Sequence, residues 1–85
     1  MANYDLRIKP SAVKELEALQ AKDRRRIVNK IQDLASEPRP PGCEKLSGKD
    51  RYRIRQGVFR ILYEIQDREV TVTIVKIGHR RDVYR

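Results

Sequence analysis

The chain reads as an α+β fold of order β-α-α-β-β-β, a small, mostly antiparallel sheet covered on one face by an N-terminal helical hairpin. Three observations predict it. Apolar residues recur at helical spacing through the first half, the second half changes to a two-residue period, and the run Pro38-Arg39-Pro40-Pro41-Gly42 separates the two regimes. A length of 85 residues fits one domain, 1–85, with a thin core.

The first element is Tyr4-Asp5-Leu6-Arg7-Ile8, whose charged and apolar residues alternate as in a short strand. Pro10-Ser11 then opens a helix, because proline is tolerated in the first turn and serine is able to cap. Ala12, Val13, Leu16 and Leu19 give that helix one apolar stripe. A second helix is expected from about Asp23, a candidate cap, with Ile27, Val28, Ile31, Leu34 and Ala35 on its apolar side. The proline run stops it. Beyond the prolines, Tyr52-Arg53-Ile54-Arg55 alternates, Gln56-Gly57 is expected as a two-residue turn, and Val58–Ile65 reads as the next strand. Gln66-Asp67-Arg68-Glu69 is the next turn. Val70–Ile77, with three valines, two threonines and two isoleucines, is the strongest strand signal in the chain. Gly78 is expected to end it, leaving His79–Arg85 as a tail.

Charge narrows the function. The net charge is +8, of which residues 1–37 carry +2 and residues 38–85 carry +6. A polyanionic partner suits this excess, because each neutralised phosphate releases condensed counterions. Cys43 and His79 are the sole residues of their types, so thiolate zinc sites and conventional metal centres are disfavoured and no cofactor is implied. The sequence has no signal-like or membrane-spanning apolar run, which predicts a cytoplasmic protein.

Arginine placement sharpens the reading. Arg53 and Arg55 share parity and should point to one side of the sheet, with Tyr52 and Ile54 on the other. Four arginines and no acid lie between Arg51 and Arg60. Arginine suits a forked hold on phosphate, whereas an exposed face kept soluble by charge accepts Lys and Glu as well. The helix cluster Arg24-Arg25-Arg26 alternates with acids and reads as a solvated or partner-binding face. The tail is the second candidate. Its His79, Arg80 and Arg81 follow a glycine, and Tyr84 is either an anchor for the tail, a ring that stacks on a base, or a phenol used in chemistry.

The run Tyr52-Arg-Ile-Arg-Gln-Gly-Val-Phe-Arg-Ile-Leu-Tyr63, followed by Val75-Lys-Ile-Gly-His-Arg-Arg-Asp-Val-Tyr84, resembles the RelE/ParE toxin superfamily, and within it the RelE branch. Lys9-Pro10-Ser11-Ala12 and Leu46-Ser47-Gly48 extend the likeness over nearly the whole chain. The resemblance implies the toxin of a toxin–antitoxin system: a metal-independent endoribonuclease that cuts mRNA in the decoding site of the ribosome and is silenced by a cognate RelB-like antitoxin. It assigns Arg53 and Arg55 to the paired basic positions of the family, Arg60 to the arginine after the aromatic Phe59, Arg80 to the arginine after the strand-end glycine, and Tyr84 to the C-terminal tyrosine. The paired positions can be lysines in the family. Arginine there makes proton transfer less plausible and retains charge stabilisation.

On these assignments Arg60 and Arg80 hold the scissile phosphate, while Arg53 and Arg55, flanked by Arg51 and Arg81, hold the neighbouring backbone. A free phenol has a pKa of about 10, and adjacent guanidinium groups favour the phenolate, which makes Tyr84 a candidate base. His79 is a secondary candidate for proton transfer. The rival expectations are a ParE-like gyrase poison of the same fold and a non-catalytic RNA-binding protein.

Overall fold

The computed structural model describes residues 3–46 and 50–79. Its elements are β1 (Asp5–Ile8), α1 (Pro10–Glu17), α2 (Ala21–Ser36), β2 (Glu44–Lys45), β3 (Arg51–Gln56), β4 (Phe59–Gln66) and β5 (Thr71–His79). The strands form one sheet in the order β1-β5-β4-β3-β2, with β1 parallel to β5 and every other pair antiparallel. The expected α+β architecture is therefore present, with one added two-residue strand at the edge. No helix among the described residues is long and apolar enough to cross a membrane.

Both helices lie on the same face of the sheet. Ala12 of α1 and Ile27, Ile31 and Leu34 of α2 pack with Tyr52, Ile54, Ile61, Tyr63, Ile65, Val72, Ile74 and Ile77 in one buried cluster. Apart from Ile77, which follows an irregularity in β5, these are the positions that the helical and two-residue periods select, and their burial supplies the main driving force of folding. Several local boundaries differ from the sequence expectation. Lys9, extended in backbone, precedes Pro10 at the start of α1, and no side chain caps the helix. α2 begins at Ala21 after an extended Gln20, so Asp23 lies within the first turn, where a carboxylate favours the helix dipole, instead of capping. The β3–β4 turn is Gly57-Val58, because Gln56 pairs with Phe59; Gly57 takes φ 61°, the left-handed geometry that glycine accepts at the first turn position. β5 continues through Gly78 to His79, since its pairing with β4 persists to Phe59.

Two devices hold the ends of the sheet. β5 carries one extra residue, Val75, between the pairs Tyr63–Ile74 and Leu62–Lys76. β1 stops opposite Ile74, and beyond it α1 covers the edge: the Ile77 N–H donates to Glu15 Oε1 at 2.9 Å, and Lys76 Nζ meets Glu15 Oε2 at 2.8 Å. At the opposite end, the proline loop is clamped. The buried Tyr63 hydroxyl donates to the Pro38 carbonyl at 2.7 Å, and its ring stacks on Tyr52 with centroids 5.8 Å apart. Burial pushes the Tyr63 phenol well above its usual range, which keeps it a donor. Arg39 donates Nε–H to the Tyr52 hydroxyl at 3.0 Å and forks onto Asp67 at 2.8 and 3.3 Å, while the Tyr4 hydroxyl donates to Asp67 at 2.8 Å. One carboxylate thus ties the start of β1, the proline loop and the β4–β5 turn.

The Arg39 hydrogen bond, then that of Tyr4, holds the Asp67 carboxyl below its ordinary value of 3.8. A lowered folded pKa contributes stability that is complete above the unfolded value and is lost as pH falls through the folded one. Asp67→Asn is therefore expected to destabilise the protein at neutral pH, with the deficit against the natural chain shrinking below about pH 4. Paired urea denaturations across that range measure it.

Candidate functional site

The alternation that buries Tyr52 and Ile54 sends Arg51, Arg53 and Arg55 to the face away from the helices. The register then builds three rows across that outer face. Arg51 lies opposite Glu64 and Glu64 opposite Thr73; Arg53 lies opposite Leu62 and Leu62 opposite Lys76; Arg55 lies opposite Arg60 and Arg60 opposite Gly78. Sequence parity put Arg53 and Arg55 on one face, and the hairpin register brings Arg60 of the neighbouring strand opposite Arg55.

The rows differ in charge. Arg51 meets Glu64 at 2.7 Å, and Arg53 meets Glu44 of β2 at 2.9 Å. The sequence expectation that this face lacks acid therefore holds only within the run 51–60, since the neighbouring strands bring in two carboxylates. The last row, Arg55–Arg60–Gly78, contains no acidic residue. Like charges directly opposite one another in a sheet are unfavourable. Gly78 adds no side chain of its own to this row. Such an arrangement suits an anion with several oxygens, because arginine forks match phosphate geometry.

The remaining predicted residues fall elsewhere. His79 pairs with Phe59, which packs against the core, and the two rings meet edge-on at 6.2 Å. This places the imidazole on the helix side of the sheet, away from the arginine rows. Arg80, Arg81 and Tyr84 lie outside the described residues. The helix cluster is divided by its geometry: Arg24 reaches back to the Leu19 and Glu17 carbonyls at 3.1 and 3.4 Å, closing the C-terminal end of α1, while Arg25 and Arg26 are exposed. No group of His, Cys, Asp or Glu able to hold a metal ion occurs among the described residues.

Two features of the site escaped the sequence reading. Glu44 required β2, which is too short to announce itself. Leu62 is only 3% exposed, although it lies on the outer face between Arg53 and Lys76. Its signal was available in the run Ile61-Leu62-Tyr63, which places three apolar residues where only alternate ones face the core.

A family model described as the ParE toxin of type II toxin–antitoxin systems matches residues 6–84. Toxin RelG of Mycobacterium tuberculosis (strain ATCC 25618 / H37Rv) is 33% identical over 86 residues, covering 96% of this chain and 97% of that protein. Among solved structures, the archaeal RelE–RelB complex from Pyrococcus horikoshii OT3 superposes with a TM-score of 0.85 at 29% identity, over 95% of this chain and 99% of the other. The isolated E. coli RelE toxin gives 0.78 at 28% identity, over 89% and 83%.

The charge gradient predicts unequal contributions to polyanion binding. Arg55→Ala should weaken binding of a single-stranded oligonucleotide and flatten the slope of log K against log salt by about 0.7, the value of one lost phosphate contact. Arg51→Ala, which removes a cation already held by Glu64, should change the slope by less than half as much. Fluorescence anisotropy at several salt concentrations distinguishes the two.

Proposed function

The chain belongs to the RelE/ParE superfamily of toxins of type II toxin–antitoxin systems, and we propose that it acts as a ribosome-dependent mRNA endoribonuclease silenced by a RelB-like antitoxin. The observation that carries this reading is the pairing of Arg55 with Arg60, and of Arg60 with Gly78, on the sheet face opposite the core.

RNA contains its own nucleophile. The 2′-oxygen attacks the adjacent phosphorus, the bond from phosphorus to the 5′-oxygen breaks, and a 2′,3′-cyclic phosphate and a 5′-hydroxyl result. The 2′-proton must leave, charge must be stabilised on the equatorial oxygens, and the 5′-oxygen must gain a proton. Arg60 serves the second need from the centre of the row, with Arg80 as its partner in the tail, and Arg55 and Arg53 hold the flanking backbone. Preorganised cations aimed at developing charge are the largest single contribution available to such a site. Tyr84 is assigned the 2′-proton, because a guanidinium group beside a phenol favours the phenolate. His79, lying against Phe59 on the helix side, is assigned a packing role at the end of β5. The ribosome supplies the alignment of the message that so small a protein lacks.

A RelB-like antitoxin is the expected partner, since the P. horikoshii relative is a RelE–RelB complex. An acidic partner would be steered by the +8 charge of this chain. The ParE description of the matching family model supports a second reading, a poison of DNA gyrase that binds without cutting RNA. The two differ in consequence: the nuclease arrests translation, and the gyrase poison damages DNA.

Induction of the protein in bacterial cells should generate new codon-phased 5′ ends in translated messages. Arg60→Ala should reduce them by about 10²–10³-fold, the typical cost of one charge-stabilising donor. Mapping mRNA 5′ ends beside a DNA-damage reporter separates the readings, because growth arrest with damage and without new ends belongs to gyrase.

A further inference from the structure

The turn that joins β3 to β4 borders a second feature, separate from the arginine rows. Asp23, Arg26 and Ile27 of α2 face Gln56, Gly57, Val58 and Phe59 across a cavity of about 210 Å³. Asp23 and Arg26 are three residues apart and so share one face of the helix. The side chains of Asp23, Arg26 and Gln56 make no hydrogen bond or ion pair among the described residues, although opposite charges line the same space. Val58 is 48% exposed, the most exposed large apolar residue described, and Phe59 is half-buried beside it. The cavity therefore combines a carboxylate, a guanidinium, an amide and an aromatic wall.

We propose that this cavity binds a guanine base. Guanine is the base that presents two adjacent N–H donors, N1–H and N2–H, which one carboxylate accepts together. Its O6 and N7 acceptors suit the fork of an arginine. Asp23 and Arg26 supply that pair of groups, Gln56 adds an amide that donates and accepts, and Phe59 offers an aromatic surface to the ring. Adenine, cytosine and uracil lack the paired donors and leave the carboxylate desolvated without compensation. Gln56 follows Arg55 in the chain and Phe59 precedes Arg60, so the cavity and the acid-free row lie on opposite sides of the same hairpin tip. An RNA strand whose phosphate rests on Arg55 and Arg60 has its neighbouring base at that tip. The choice of an RNA base as the source of the guanine rests on the function proposed above; the recognition of the ring does not.

Titration of the ¹⁵N-labelled protein with GMP, AMP, CMP, UMP and inorganic phosphate tests the site by the amide shifts of Gly57, Val58 and Arg26. GMP should move these amides saturably at a concentration about tenfold below the other nucleotides, the discrimination expected of one bidentate contact. Asp23→Asn, and independently Arg26→Met, should abolish the preference while leaving amide positions elsewhere unchanged. Equal response to all four nucleotides overturns the proposal, as do shifts confined to Arg55 and Arg60 that phosphate alone reproduces. A uridine heptamer with one central guanosine should bind about tenfold tighter than its adenosine counterpart. GMP selectivity without heptamer selectivity overturns the strand as the source and leaves a free guanine nucleotide. GMP selectivity in a protein that cuts no message supports the cavity and sinks the nuclease reading instead.

Discussion

The register of the β3–β4 hairpin is the constraint on which the site depends. With a two-residue connection at Gly57-Val58, Gln56 must pair with Phe59, and every later pair follows from that one. Tyr52 then meets Tyr63 and Ile54 meets Ile61 on the core side, while Arg55 meets Arg60 on the other. A slip of one residue would carry the arginines into the core and the tyrosines into solvent, a change no small core could survive. Gly57 supports this register because its φ of 61° is open to glycine and strained for a branched side chain. The unfavourable Arg55–Arg60 pair is therefore held in place by the apolar pairs on the opposite side of the same strands.

The rest of the molecule secures that sheet without using the outer face to do so. The helical hairpin and its apolar cluster lie on one side. The Arg39–Asp67–Tyr4 clamp ties the loop and turn at one end, and Glu15 satisfies the exposed edge of β5 at the other. Two of the outer-face arginines are held by Glu44 and Glu64, and solvent-accessible pairs at a surface contribute little to stability even where, as here, they are half-buried. Their main effect is to fix guanidinium positions and to grade the charge. The facing pair Arg55 and Arg60 lies beyond them, next to the hairpin tip.

Much of this was legible in the chain. The change of period at the proline run identified the helical hairpin and the strands that follow, and parity alone separated Arg53 and Arg55 from Tyr52 and Ile54. Boundaries were less legible because they are decided by pairing. Gly78 looked like a terminator, yet its backbone is needed opposite Arg60. Asp23 looked like a cap, yet the extended Gln20 starts the helix three residues earlier. Glu44 entered through a strand of two residues, a length at which no periodicity exists. The side of the sheet on which His79 lies was hidden for another reason. Val75 inserts one extra residue into β5, which reverses the parity of everything after it.

The central claim is that the outer face serves a reaction in which RNA attacks itself. Purified protein added to ribosomes programmed with a short message, natural or carrying one 2′-deoxynucleotide at the cut position, tests it most directly. The account predicts cleavage of the natural message to a 2′,3′-cyclic phosphate end and none of the deoxy-substituted one. Equal cleavage of both would contradict the 2′-hydroxyl mechanism, and cleavage of neither would contradict the nuclease itself.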